Sequence, residues 1–148
     1  EDDLGYVGDI VKINAHIIMD LLDKGYIPVV SSVGLDEEGH TYNINADTAA
    51  AEIAAQVQAE NMILVSDIPG LLMDKEDEST LIPLVHVYEV KGLTDKGIIG
   101  GGMIPKIECC VRAIRENVKK AVIIDERIPH SILIEMLSKD GIGTMFTR

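Results

Sequence analysis

The chain has 148 residues, with 13 Lys and Arg against 25 Asp and Glu and a formal net charge of −12 at pH 7. One domain suits that length, and a composition 47% hydrophobic and 26% charged can build a core, which excludes general disorder. The acidic balance, with no Lys/Arg stripe, argues against nucleic acid and anionic membrane surfaces as partners, and no apolar run approaches the roughly 18 residues of a membrane helix.

The opening Glu1-Asp2-Asp3 is the opposite of a signal peptide's basic start. The adjacent Cys109 and Cys110 cannot staple distant segments, and such unpartnered thiols suggest a reducing compartment. The chain is therefore expected to be cytoplasmic. The four histidines, His16, His40, His86 and His130, lie far apart with no ligand spacing, so no protein-bound metal is expected.

In chain order, Val7 to Ile13 alternates apolar and polar residues and predicts a short strand. Asn14 can cap a helix starting at Ala15, with Ile17, Ile18, Leu21 and Leu22 as its apolar stripe and Gly25 at its end. Ile27 to Val33 is a near-continuous β-branched run, which suits a strand buried on both faces of a parallel sheet. Asp36-Glu37-Glu38-Gly39 reads as a turn between hairpin arms. Asp47 to Glu60 is an Ala-rich helix, and Met62 to Val65 a strand ended by Ser66-Asp67. Pro69-Gly70 is a turn, and the acidic run Asp74 to Glu78 a solvated loop. Val87 to Lys96 is read as helical. Gly97 to Gly102, with four glycines, is a mobile loop. Lys106 to Asn117 is a helix with Ile107, Cys110, Val111 and Ile114 on one face, which points Cys110 into the core. Ala121 to Ile124 is a strand, Ser131 to Ser138 a helix, and Thr144 to Thr147 a last strand. Such alternation predicts an α/β fold whose mainly parallel sheet is flanked by helices. Ligands in such sheets bind beyond the carboxyl ends of the strands, where Ser32-Val33-Gly34, Ser66-Asp67 and Asp125 are expected.

Three stretches carry chemistry. Asn43-Ile44-Asn45-Ala46-Asp47 places two carboxamides on one face of an extended segment, suited to holding a carboxylate or acyl group. It also fits turn asparagines followed by Asp47 as a helix cap. Ser66 to Leu71 follows a buried strand, where a nucleotide or metal can sit, or where a plain connection can run. Gly97 to Lys106 lets backbone N–H groups approach phosphate oxygens, and Pro105 fits a first helical turn. Lys106 there opposes the helix dipole, a local rule broken beside a glycine loop. Its charge would suit a transferring phosphoryl group; the plainer alternative is a solvated lysine. Neither a Walker loop nor a Rossmann fingerprint is present.

Together, Gly5-Tyr-Val-Gly-Asp-Ile10, Pro28 to Gly34, Tyr42-Asn-Ile-Asn-Ala-Asp47, Val65 to Leu72, Gly102-Met-Ile-Pro-Lys106 and Gly143-Thr-Met-Phe146 resemble the acetylglutamate kinase branch of the amino acid kinase family. The resemblance runs over nearly the whole chain, in order. It implies an amino acid kinase-like (carbamate kinase-like) fold and ATP-dependent phosphorylation of the γ-carboxylate of N-acetyl-L-glutamate, in arginine biosynthesis. By position Lys106 resembles the lysine that stabilises the phosphoryl group, and Asp47 the carboxylate that orients the active-site lysines. Asn43, with Asn45 nearby, resembles the acetylglutamate contact. Asp67, Ile68, Pro69, Gly70, Leu71 and Leu72, with Ser66 before them, and Ile98, Ile99 and Gly100 resemble the segments around ATP. Magnesium would arrive with ATP, held by phosphate oxygens and water. The family's chain is about twice this length. The resemblance makes residues 1–148 a single nucleotide-binding domain, the C-terminal half, inactive alone and part of a homo-oligomer at full length. Carbamate, aspartate or glutamate kinases share the fold and remain alternatives, as does a non-catalytic nucleotide-binding regulatory module.

Overall fold

The computed structural model describes residues 5–148; the acidic opening Glu1 to Asp3 lies outside them. The main sheet has four strands in the order β3-β5-β6-β4: β3 (Asn61–Ser66), β4 (Leu84–His86), β5 (Lys120–Asp125) and β6 (Thr144–Thr147). β3 runs parallel to β5, β5 antiparallel to β6, and β6 parallel to β4. Two of the three pairings are parallel, as expected for an α/β sheet. β5, in the interior of the sheet, is buried at Ala121 to Asp125, whereas β3, at the edge, alternates.

Two helices cover the sheet. α2 (Ala46–Gln56) and α4 (Met103–Arg115) pack on each other and on the strands. The predicted stripe of α4 is the buried one: Ile107, Cys110, Val111 and Ile114 join Ala51, Ala54, Leu64, Ala121, Ile123 and Phe146 in the core. This apolar layer is the main stabilising contribution. Arg112 of α4 reaches Glu52 of α2 and, at 3.4 Å, Glu116 on its own helix. The other helices are α1 (His16–Asp23), α3 (Val90–Asp95) and α5 (Ser131–Leu137); α5 lies against β5.

Several elements differ from expectation. Val7 to Ile13 forms no strand; Val7 makes one isolated bridge to Asn43. Ile27 to Val33 is not a buried strand: Ile27 is 89% and Val29 96% exposed. Pro28 lacks a donor for a ladder, and no strand among the described residues lies alongside. Only Val33 pairs, in the hairpin of β1 (Val33–Leu35) and β2 (Thr41–Asn43). Ser32 to Gly34 therefore stands in that hairpin and not at the carboxyl end of a sheet strand. The Asp36–Gly39 turn is as read, because Asp36 Oδ1 accepts the N–H groups of Glu38 and His40, both at 2.9 Å. α1 starts one residue later than expected, and none of its residues is buried. β4 is a strand the sequence pattern did not announce.

Candidate active site

The site is built where the first turns of α2 and α4 meet. α2 is capped by Asn45, whose Oδ1 accepts the Thr48 N–H at 3.0 Å. Of the two readings the sequence offered for Asp47, the cap is therefore not the one realised. Asp47 is the second residue of the helix, where its charge is favoured by the dipole and its carboxylate stays free for a tertiary partner. The partner is Lys106, Nζ to Oδ2 3.0 Å, with side chains 26% and 24% exposed. α4 begins at Met103, so Pro105 and Lys106 both sit in its first turn, three residues earlier than the pattern suggested. The carboxylate offsets the unfavourable placement of a cation there and fixes the ammonium's direction.

The remaining candidate residues fall into two groups. Asn43 ends β2; its backbone N–H donates to Tyr6 C=O at 2.7 Å and its C=O accepts from Gly8 at 3.1 Å. Its carboxamide makes no hydrogen bond among the described residues, to the Lys106–Asp47 pair or elsewhere. Asn45 spends its carbonyl oxygen on the cap and keeps its NH2 group as a donor.

The second group is the loop after β3. Ser66 and Asp125 end the paired strands β3 and β5 side by side, as expected for Ser66-Asp67 and Asp125. The Ser66 hydroxyl donates to Asp67 Oδ1 at 3.2 Å. Gly70 takes φ +136, a backbone that favours glycine. The Leu71 side chain is core; its N–H donates to Thr144 Oγ1 at 2.8 Å, and the Thr144 hydroxyl donates to Ile82 C=O at 2.8 Å. Ile98 packs on the core and Ile99 is buried in it, so the side chains of Leu71 and Ile99 anchor these segments. The glycine loop leads from α3 into α4, and a Cβ at Gly97, Gly101 or Gly102 would meet nothing within 4 Å. That open space is what an approaching anion needs.

Two residues outside the candidate set hold this region, Thr144 and Arg127. Arg127 Nε donates to both Asp125 oxygens at 2.9 and 3.0 Å and its NH2 group reaches Glu78 at 3.3 Å. The Gly143-Thr144 pair was visible as a motif, but its work on a loop 73 residues away was not. The Arg127 hydrogen bonds hold the Asp125 carboxyl below its ordinary 3.8 against the opposing effect of burial. A depressed carboxylate stabilises the fold above its unfolded pKa and loses that stabilisation as pH falls through the folded value. Arg127→Met is therefore expected to lower stability by about 2 kcal/mol at pH 7. The gap to the unsubstituted chain should narrow as pH drops below about 4, read as urea midpoints along a pH series. A gap that stays constant to the acid end refutes the role. Burial likewise raises the pKa of the Cys109 and Cys110 thiols. Cys110 lies in the core and Cys109 packs against it.

The mixed sheet covered by α2 and α4 thus carries a lysine–aspartate pair where a glycine loop opens a helix. The chain belongs to the amino acid kinase family, whose sequence profile matches residues 1–125. More narrowly, it is 54% identical over 146 residues to the acetylglutamate kinase of Clostridium beijerinckii, covering 98% of this chain and 51% of that protein. It is 53% identical over 143 residues to the acetylglutamate kinase of Clostridium kluyveri, covering 97% and 50%. Among solved structures, N-acetylglutamate synthase from Neisseria gonorrhoeae, complexed with coenzyme A and L-arginine, superposes with a TM-score of 0.88 at 25% identity, over 99% of this chain and 33% of that one. The chain spans about half the length of the curated relatives it matches.

Proposed function

We propose that this chain is the nucleotide-binding half of an ATP-dependent kinase acting on the γ-carboxylate of N-acetyl-L-glutamate. The observation that carries it is the Lys106–Asp47 pair, 3.0 Å apart, at the mouth of a glycine loop. A γ-carboxylate oxygen attacks the γ-phosphorus of ATP, the bond to the bridging oxygen breaks, and acyl phosphate and ADP result. Such a transfer needs placement and charge neutralisation more than covalent help. Lys106 supplies a positive charge to the phosphoryl oxygens, and Asp47 keeps it aimed. Asn43, whose carboxamide is unspent, would hold the acetyl-amino acid, with the Asn45 NH2 group beside it. The backbone of Ser66 to Leu72 and of Ile98 to Gly100 would frame the nucleotide.

The Asp47 carboxylate is already paired with a lysine, which fits magnesium carried on the phosphate oxygens of ATP rather than held by side chains. Among the described residues no cluster of three metal-ligating side chains occurs. Among the described residues no helix is long and apolar enough to cross a membrane. Ile17, Leu22, Ile27, Val29 and Val30 are exposed, apolar surface that assembly into a homo-oligomer would help to cover. The acceptor is tested in the protein expressed from the whole reading frame that encodes this chain, by ADP release with N-acetyl-L-glutamate, carbamate, aspartate and glutamate in turn. N-acetyl-L-glutamate is expected to give the highest kcat/KM; a preference for any other acceptor rejects the substrate assignment.

A further inference from the structure

Lys75 lies inside the acidic run Asp74 to Glu78, where a lysine ordinarily neutralises its neighbours. Three of the four carboxylates there have other partners. Asp74 Oδ1 accepts the Glu76 N–H at 3.0 Å, Asp77 Oδ1 accepts the Ser79 N–H at 2.9 Å and its hydroxyl at 2.6 Å, and Glu78 meets Arg127. Lys75 forms no ion pair with them or with any other anion among the described residues. Its ammonium instead crosses to the glycine loop and stands 3.4 Å from where a Cβ on Gly100 would lie. Beyond it, at Gly101 and Gly102, the space is open. Lys106, further along the same segment, already has its charge engaged by Asp47.

A chain of net charge −12 repels a nucleoside polyphosphate unless local cations offset the field. An unpaired ammonium beside a glycine backbone that leaves open space at its next two residues is a point charge positioned for a phosphate oxygen. We propose that Lys75 is a phosphate-binding residue, gripping the polyphosphate of the nucleotide beside Gly100 as a second cation in addition to Lys106. The role presupposes the nucleotide site described above and adds to it a residue from the loop after β3. It also gives that loop a reason to touch the glycine segment: the bound phosphate would tie the two together.

The test is calorimetric titration of the protein expressed from the whole reading frame with Mg-ADP and with adenosine, for the unsubstituted protein, Lys75→Met, Lys75→Gln and Lys75→Arg. Loss of a charge-assisted contact is expected to weaken Mg-ADP binding about tenfold or more in the Met and Gln variants, while adenosine affinity stays unchanged. Lys75→Arg keeps the charge and should retain most of the affinity. The salt dependence of Mg-ADP binding should be shallower in Lys75→Met than in the unsubstituted chain. Unchanged Mg-ADP affinity in both neutral variants overturns the role of Lys75 alone. Equal losses for Mg-ADP and adenosine overturn it too, because they indicate a change of loop shape. If the unsubstituted whole-length protein binds neither ligand, the nucleotide site itself is refuted and Lys75 with it.

Discussion

Lys106→Ala is expected to lower the kcat for N-acetyl-L-glutamate by at least about 10²-fold, the usual loss when one preorganised charge is removed from a transition state. The measurement belongs in the protein expressed from the whole reading frame, with KM for both substrates determined alongside. Charge on the phosphoryl oxygens is redistributed as the bonds change, so the loss should fall on kcat more than on KM. Asp47→Asn leaves the ammonium in place but removes the partner 3.0 Å away that aims it; its effect should be in the same direction and smaller. Lys106→Arg keeps the charge in a planar, bulkier head and should not restore full turnover. Both members of the pair retain about a quarter of their exposure, so water can solvate whichever partner is left. Thermal stability of the variants should therefore fall little, by about 1 kcal/mol or less. Lys106→Ala and Asp47→Asn variants that turn over normally would falsify the catalytic assignment and favour a regulatory nucleotide-binding module.

Much of this architecture was legible because its causes are local. The i, i+3, i+4, i+7 pattern of Ile107, Cys110, Val111 and Ile114 specifies a buried helix face wherever the helix packs. The Asp36 turn closes through its own side chain, within four residues. Elsewhere two local solutions compete. Asn45 and Asp47 are both good cap residues, and only the path of the backbone between β2 and α2 decides which one caps and which one is free for Lys106. The pair itself spans 59 residues; the sequence shows a cation breaking the dipole rule, not the anion that answers it. Ile27 to Val33 failed for the converse reason. Its composition is that of a buried strand, but burial needs a neighbouring strand, and no local pattern states whether one is present. β4 has three residues after Pro83, too few for a period to register. Lys75 is hidden by its surroundings, since an acidic run reads as solvated whether or not its lysine turns away.

Gly143→Ala is expected to destabilise the fold by about 3 kcal/mol or more, at the upper end for overpacking. A Cβ there would stand 2.1 Å from the Ile123 carbonyl oxygen and 2.8 Å from Ile124 Cγ2. The first obstacle is backbone of the adjacent strand, which cannot rotate aside. Relief requires β6 to move off β5 where Thr144 pairs with Ile123. Thr144 is fully buried and its hydroxyl holds both Leu71 N–H and Ile82 C=O at 2.8 Å. Displacing it leaves the buried Leu71 N–H unsatisfied, costing about 1–3 kcal/mol, and frees the part-buried Ile82 carbonyl as well. Because Leu71 belongs to the loop after β3, Mg-ADP affinity should fall with stability, whereas Lys75→Met should lower affinity alone. Gly141→Ala is the matched control: its φ of +65 imposes strain, but the nearest atoms are the carboxylate of Glu135, a movable side chain. Its loss should stay near 1–2 kcal/mol. Urea unfolding of the two alanine variants reads the difference directly. A Gly143→Ala protein no less stable than Gly141→Ala means that the β5–β6 contact yields more easily than its geometry implies, and the support it gives the nucleotide loop through Thr144 would have to be abandoned.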